Sequence, residues 1–354
     1  MAAFQRQEDV RKIQFSGKSS YMLALPKKWV EEMKLGPGDQ VTVARLTNAS
    51  LMITPGSAAI TFAGKGEAIV DVSKDEGAGS IERKLIALYV VGYSLIHVRA
   101  KAGILTSAQR DAVKEAARRH LIGTEVVSDS AEGTTIQILL SYPELSVENA
   151  LRRMFLIAAS MHKDAMSSLK KLDQDSAKAV IKSDDEVDRF GLYVVRQLKM
   201  AVQSDRILKE VGLAAATECL GYRLVVKSIE RVADHASRIA EGVLIARRRL
   251  SESDLNKLED LSNSAVKIFE ESGLALFKHS YDSADRIVEK AKRITDLEKA
   301  FLSELDRRKP AESSQIIRVV VEDVSRTAEY SSDIAEIVLN MTAEQIIANA
   351  VQMK

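Results

Sequence analysis

From Ser146 onward, apolar residues recur every three to four positions, the spacing of an amphipathic helix. Such runs cover 146–171, 175–203, 209–249, 252–279, 282–308 and 312–350. Polar breaks separate them, among them Leu172-Asp173-Gln174-Asp175, Val211-Gly212, Ser251-Glu252-Ser253, His279-Ser280-Tyr281-Asp282 and Lys309-Pro310. Asp and Ser at these breaks are residues that cap helix N-termini with a side-chain oxygen. Long helices with short joints pack as antiparallel bundles. Upstream the pattern is mixed. Strands are predicted at Ala68–Val72, Ser94–Arg99, Glu125–Asp129 and Thr134–Leu140, with helices at Ser80–Val91 and Thr106–His120. Thr106 or Ser107 is the expected cap of the second helix. Nearer the start, short β-type runs at Arg11–Phe15, Met22–Leu25, Gln40–Leu46 and Ser50–Thr54 flank a brief helix, Lys27–Met33, opened by Pro26.

The pattern predicts a multidomain, mainly α chain. The expected parts are a small β module at 1–59, a small α/β domain at 60–145, and two three-helix bundles at 146–250 and 251–354. The two bundles follow from an internal repeat. Ile229–Leu244 aligns without gaps on Val324–Leu339, matching Arg231 with Arg326, Ala233 with Ala328, and the Ile-Ala-Glu triplets that end at Glu241 and Glu336. The preceding helices repeat as well, Asp175-Ser176-Ala177 on Asp282-Ser283-Ala284. Identities at polar positions in register argue against chance similarity between amphipathic helices.

Composition narrows the function. Lys and Arg (51) nearly balance Asp and Glu (50), which excludes a globally basic nucleic-acid binder and leaves room for a local basic patch. One cysteine, Cys219, permits no intrachain disulfide and suits a reducing compartment. With five histidines, it argues against a zinc site. The N-terminus has no apolar core of a signal peptide. The longest apolar stretch, Leu85–Ile96, is interrupted by Gly92 and Ser94 and too short to span a bilayer. The expectation is a soluble, cytoplasmic protein with no membrane insertion. No nucleophile elbow, HExxH or Ser/His/Asp order occurs, so the chain is not expected to be an enzyme. Cys219 reads as core filler, and His97 and His235 carry no clear chemistry.

Two sets of residues do point to chemistry. Asp184/Asp188 and Glu230/Asp234 are spaced by four, which puts each pair on one helix face. If the faces of these consecutive helices meet, four carboxylates converge and repel unless a cation neutralises them. Arg189 and Arg231 offer the alternative, ion pairs without metal. The repeat places Ala291, Thr295, Ser325 and Glu329 at the equivalent positions, so no second equal site is expected. The other set is basic. Arg11, Lys12, Lys18, Lys27 and Lys28 crowd the first module, where a dimer would double them into a phosphate-contacting surface. A fold this small buries too little alone, so dimerisation is expected, with Trp29 and Val30 helping to fill the shared interior.

The run Arg11–Val43 holds a Leu25-Pro26-Lys27 step into a short helix and a Leu35-x-x-Gly38-Asp39-x-Val41 return. It resembles the SpoVT/AbrB-like swapped-hairpin DNA-binding domain over roughly the first fifty-five residues. That resemblance implies a dimer whose interleaved hairpins contact DNA. The helical half resembles the PhoU family of phosphate-signalling regulators, built from two tandem three-helix bundles. The family's acidic metal motif matches Asp184-x-x-x-Asp188 and Glu230-Arg-Val-Ala-Asp234 and implies a divalent metal ion there, Mg, Mn, Zn or Fe. The degraded second copy departs from the family. The order of parts is similar to that of archaeal PhoU-like regulators with an N-terminal AbrB-type module. The implied function is a DNA-binding transcriptional regulator of phosphate uptake and homeostasis. The alternative is a signalling adaptor that docks on a phosphate transporter or sensor kinase without touching DNA. A metal-dependent hydrolase lacks a convincing base. The sequence assigns no ligand to the α/β domain.

Overall fold

A computed structural model describes residues 9–17, 20–32, 34–45, 51–55, 66–139, 145–307, 312–344 and 346–347. The chain divides into two compact units, Met1–Ala63 and Gly64–Lys354.

In the first unit, β1 (Ile13–Ser16) and β2 (Ser20–Leu23) form an antiparallel hairpin. A short helix, α1 (Lys27–Glu32), follows, and then a second hairpin of β3 (Val41–Arg45) and β4 (Leu51–Pro55). The carbonyl of Pro26 accepts from the amides of Trp29 and Val30, which starts α1 where the fixed proline φ predicts. The Asp39 carboxylate accepts from the Gly36 amide at 2.7 Å and closes the return turn. Among the described residues, this unit buries almost nothing. Ile13, Phe15, Tyr21, Met22, Val43 and Leu51 are all exposed, and α1 has no buried residue. Phe15 and Tyr21 touch edge-on across the hairpin, with centroids 5.1 Å apart, and are still 61% and 74% exposed. Trp29 and Val30 are half-buried.

The second unit opens with β5 (Glu67–Val72), α2 (Ala78–Val91), β6 (Leu95–Ala100), α3 (Ser107–His120), β7 (Thr124–Asp129) and β8 (Gly133–Ile138). The sheet runs β5-β6-β8-β7, with β5 parallel to β6 and the other neighbours antiparallel. Alternate residues Ala68, Val70 and Val72 face inward and Glu67, Ile69 and Asp71 outward, as a half-covered sheet requires. Ile81, Leu85 and Tyr89 of α2 and Val113, Ala116 and Ala117 of α3 cover the inner face in one core. Thr106 caps α3 through a reciprocal box with Gln109.

Seven helices follow: α4 (Val147–Lys171), α5 (Gln174–Ala201), α6 (Asp205–Glu210), α7 (Glu218–Ile245), α8 (Glu252–Phe277), α9 (Tyr281–Asp306) and α10 (Glu312–Met341). Helices α4, α5 and α7 pack together, as do α8, α9 and α10. Ser146, Asp173, Ser251 and Ser280 cap their helices as the break residues predict. One predicted helix is corrected. The run 209–249 is not continuous, because α6 ends at Glu210 and α7 begins at Glu218. Gly212 takes a left-handed φ of 85°, and the Leu213 amide bonds back to the Leu208 carbonyl at 3.0 Å, which ends α6 at the Val211-Gly212 break. Within the predicted run 312–350, α10 ends at Met341, Glu344, Ile346 and Ile347 are again helical, and residues 345 and 348–350 lie outside the described residues.

The α/β domain docks on α5 through a buried cation. Arg196 is 2% exposed and donates to the carbonyls of Tyr89 and Gly92 at the C-terminal end of α2. Its guanidinium also lies 4.9 Å from the Tyr89 ring centroid. Terminal helix carbonyls lack intrahelical donors and carry partial negative charge, so a guanidinium suits them. At the other end of the contact, Arg119 of α3 makes two hydrogen bonds of 2.9 Å to Asp185. The two bundles meet along α7 and α10. There the fully buried Asp323 lies 2.7 Å from His235 Nδ1 and 3.2 Å from Arg238 Nη1. His162 of α4 faces Ser262 of α8 at 3.2 Å, and burial pushes its pKa down to about 4.

Arg196→Leu is expected to lower the unfolding free energy by roughly 2–4 kcal/mol, because two helix-end carbonyls lose a charged donor. The urea midpoint at unchanged slope measures this. A loss below about 0.5 kcal/mol, the range of an ordinary surface change, would show that the contact does not hold the domains together.

Candidate functional site

The two acidic pairs come from helices that pack side by side, α5 and α7. Asp184 is half-buried, and its Oδ1 has no hydrogen-bond partner. Burial, then the charge of Asp188 and Asp234, pushes its pKa up to about 7. Asp188 is pushed up to about 6 by burial and by Glu230 and Asp234, against the opposing pull of Lys227. The carboxylates therefore feel one another across the helix pair, as the spacing predicts.

Glycine makes room for them. A Cβ on Gly191 would fall 2.2 Å from Glu230 Oε1 and 3.2 Å from its Cδ, so the Glu230 carboxylate lies directly over the α5 backbone. The other oxygen of Glu230 accepts from Lys227 at 3.0 Å. The expected alternative partners are engaged elsewhere. Arg189 pairs with Glu186 at 3.5 Å, and Arg231 lies over the Tyr330 ring at 5.4 Å. His235, next to Asp234 in sequence, turns to Asp323. Three contributors were not singled out from sequence: Gly191, Lys227 and Asp185. Gly191 carried a usable signal, a lone glycine inside a strong helical pattern. Lys227 and Asp185 look like ordinary surface charges until their partners are seen.

Carboxylate oxygens are the donors a hard cation prefers, and Asp184 Oδ1 is buried without a hydrogen-bond partner. Among the described residues, however, no set of three or more His, Cys, Asp or Glu side chains is grouped closely enough to hold a metal ion. In the second bundle Ala291 is buried, Ser325 donates to Glu298, and Glu329 pairs with Arg326 at 2.7 Å. Those acids already have partners.

The basic residues of the first unit are solvent-facing. Arg11 pairs with Asp9 at 2.7 Å, Lys27 lies 3.6 Å from Glu31, and Lys28 lies 3.9 Å from Glu32. Exposed pairs of this kind are worth little and exchange readily for phosphate. Lys12 is exposed, and Lys18 lies outside the described residues. Cys219 is buried, and burial raises its thiol pKa, which fits a packing role.

Comparison with known proteins supplies the context. Residues 151–243 match the PhoU domain model, and residues 14–61 match the model described as antidote-toxin recognition MazE, bacterial antitoxin. This chain is PhoU-like, with an N-terminal swapped-hairpin module. Among curated relatives, the phosphate-specific transport system accessory protein PhoU homolog 1 of Thermotoga maritima is 22% identical over 53% of this chain and 82% of its own. Crystallographic PhoU from Pseudomonas aeruginosa shares the fold with a TM-score of 0.50 at 19% identity, covering 56% of this chain and 96% of that one. The phosphate transport system regulatory protein PhoU from Streptococcus pneumoniae superposes with a TM-score of 0.48 at 17% identity, over 55% and 91%. The PhoU-like helical half thus carries the acidic pairs, and the MazE/AbrB-like part carries the basic cluster. Among the described residues, no helix of this PhoU-like chain is long and apolar enough to cross a membrane.

The raised carboxyls predict a pH dependence of known sign. Between the unfolded value near 3.8 and the folded values, the native state holds protons that the unfolded chain has lost. These groups therefore favour folding at low pH, and that contribution fades as pH rises through 6 to 7. His162, whose pKa is lowered, acts in the opposite sense from pH 6.5 down to about 4, so the informative quantity is a difference. In chelator-treated protein, Asp184→Asn should raise Tm at pH 8 by roughly 2–4 °C more than it does at pH 5, the shift about 1 kcal/mol produces in a unit of this size. Equal shifts at both pH values would mean that the charge of Asp184 is not what the substitution relieves.

Proposed function

We propose that this protein is a DNA-binding transcriptional regulator of phosphate uptake and homeostasis, acting as a regulator and not as an enzyme. One observation carries the reading: a single chain joins a MazE/AbrB-like module to a PhoU-like helical half. The module's condition supports the DNA arm. Its apolar strand residues are exposed along both hairpins, and α1 buries nothing, so a second copy must complete the core. Dimerisation then sets two basic clusters of Arg11, Lys12, Lys18, Lys27 and Lys28 on one assembly. Such clusters bind through phosphates and release counterions, which makes affinity steeply salt-dependent.

The PhoU-like half supports the regulatory arm. The named relative is an accessory protein of a phosphate-specific transport system, and a phosphate transporter or its sensor kinase is the partner class we infer here. Asp184, Asp188, Glu230 and Asp234 would hold a divalent cation, Mg, Mn, Zn or Fe, which would supply charge neutralisation and not reaction chemistry. Lys227 would keep the Glu230 carboxylate in place over Gly191. The competing reading is an adaptor that docks on transporter or kinase without touching DNA. The cytoplasmic side of a membrane is where either protein would work.

A gel shift on the protein's own upstream DNA, repeated across salt concentrations, separates the two. The regulator binds that fragment well above bulk DNA, with a steep log–log salt slope. Neutralising Lys27 and Lys28 should flatten the slope by about one unit per lost contact in each protomer and weaken all sequences alike. Absence of binding at low salt would favour the adaptor. Independently, residues 1–60 should sediment as a dimer at micromolar concentration, and a well-folded monomer would contradict the shared core.

For the metal, chelation should lower Tm and re-addition of the cation restore it, in the manner of any ligand that binds only the native state. Asp188→Asn with Asp234→Asn should remove that response. A double variant that melts higher, in a protein whose parent ignores chelators, would reduce the acids to a solvated face.

A further inference from the structure

The two bundles meet along two seams, α7 against α10 and the lesser one, α4 against α8. His162 lies in the second and has no exposed surface. Its Nδ1 is 3.2 Å from the Ser262 hydroxyl, and its Nε2 has no hydrogen-bond partner. One turn away on each helix stand Ala158 and Met166 of α4 and Leu258 and Val266 of α8, all buried. Whichever nitrogen carries the proton, the neutral ring is one donor and one acceptor, and the serine satisfies one of the two. A second proton adds another N–H and a full charge. Among the described residues the charge that bears on the ring is that of His235 on α7, and it repels. The other charged groups of the joint are engaged with one another. Asp323 of α10 is held by His235 and Arg238 of α7. On the exposed rim between α4 and α8, Lys163 pairs with Glu270 and Lys170 with Glu259.

We propose that His162 is an acid-sensitive latch between the bundles, whose protonation parts α4 from α8 while the α7–α10 seam stays closed. A buried charge without a partner must be neutralised or must reach water. In mild acid the ring keeps its proton by reaching water. Parting α4 from α8 provides that water and breaks neither bundle. Helix α4 stays packed on α5 and α7, and α8 on α9 and α10. Asp323 keeps both its partners on α7, so the motion turns about that seam. The geometry of the tandem repeat then depends on the proton. The latch needs neither the DNA contact nor the cation of the function proposed above, so its failure and theirs are separate results.

Thiol labelling of the full chain tests this. Val266→Cys places a thiol in the seam, one turn from Ser262, and the buried native Cys219 of α7 is the internal control. Labelling by a disulfide reagent is followed at pH 7.5 and pH 5, with rates corrected by a free thiol for the change in thiolate fraction. The closed ring titrates at about 4 and the open one near 6.5. Opening therefore grows as pH falls through 6.5 and levels off below 4, with a rise of about 30-fold between pH 7.5 and pH 5. The new thiol should show that rise and Cys219 should not. His162→Gln keeps a polar partner for Ser262 and cannot charge, so it should abolish the rise. Ser262→Asp should abolish it too, by giving the charged ring a carboxylate. No rise at the new thiol overturns the latch. An equal rise at Cys219 overturns it as well, since the whole bundle would then be opening. So does the same rise in a folded His162→Gln protein, because another group would then be titrating. Should both His162→Gln and Ser262→Asp fail to fold, X-ray scattering decides: the protein with native His162 should expand at pH 5 with unchanged helix content, and constant dimensions overturn the proposal.

Discussion

The Arg196 guanidinium, sealed against the end of α2, is the contact on which the second unit is organised. A helix end leaves carbonyls without donors, and burying them bare is costly. Placing a cation there answers two demands at once, because a buried arginine also needs acceptors. The interaction fixes the α/β domain to α5 at one point, and the two-bond pair of Arg119 with Asp185 fixes it at another. Two separated anchors prevent rotation, which a single one would allow.

Helix α5 is consequently more than one-third of a bundle. Along its length it presents Asp184 and Asp188 to α7, Asp185 to α3, Gly191 to Glu230 and Arg196 to α2. Each of these faces follows from the helical repeat, since residues one apart diverge by about 100° while residues four apart align. Asp184 and Asp185 therefore serve different neighbours although adjacent in sequence. A change at the domain junction has a short covalent path to the acidic face, about one residue long.

The acidic face itself is unfavourable as built. Burial and like charge raise Asp184 and Asp188 together, and the arginines nearest in sequence turn away. Lys227 pairs with Glu230 and only partly offsets the rise of Asp188. In the proposed function, a cation would offset that cost. Across the molecule, Asp323 shows the contrasting solution. It too is buried, but His235 and Arg238 accompany it, and it joins the two bundles.

Much of the secondary structure was legible in the chain. The apolar periods, the capping residues and the Leu25-Pro26-Lys27 step are local signals, and local sterics and hydrogen bonding act on neighbours whatever the rest of the protein does. The spacing of Asp184 with Asp188 and of Glu230 with Asp234 is local in the same sense. The predicted run 209–249 is divided at its own Val211-Gly212 break, where the left-handed Gly212 ends α6. Tertiary structure alone decided which partners the charges took. It turned Arg189 and Arg231 away from the acids, laid Glu230 over Gly191, and set Arg196 on α2. Charge is long-ranged and non-directional, so a sequence states how many cations and anions there are, and only packing states which of them meet.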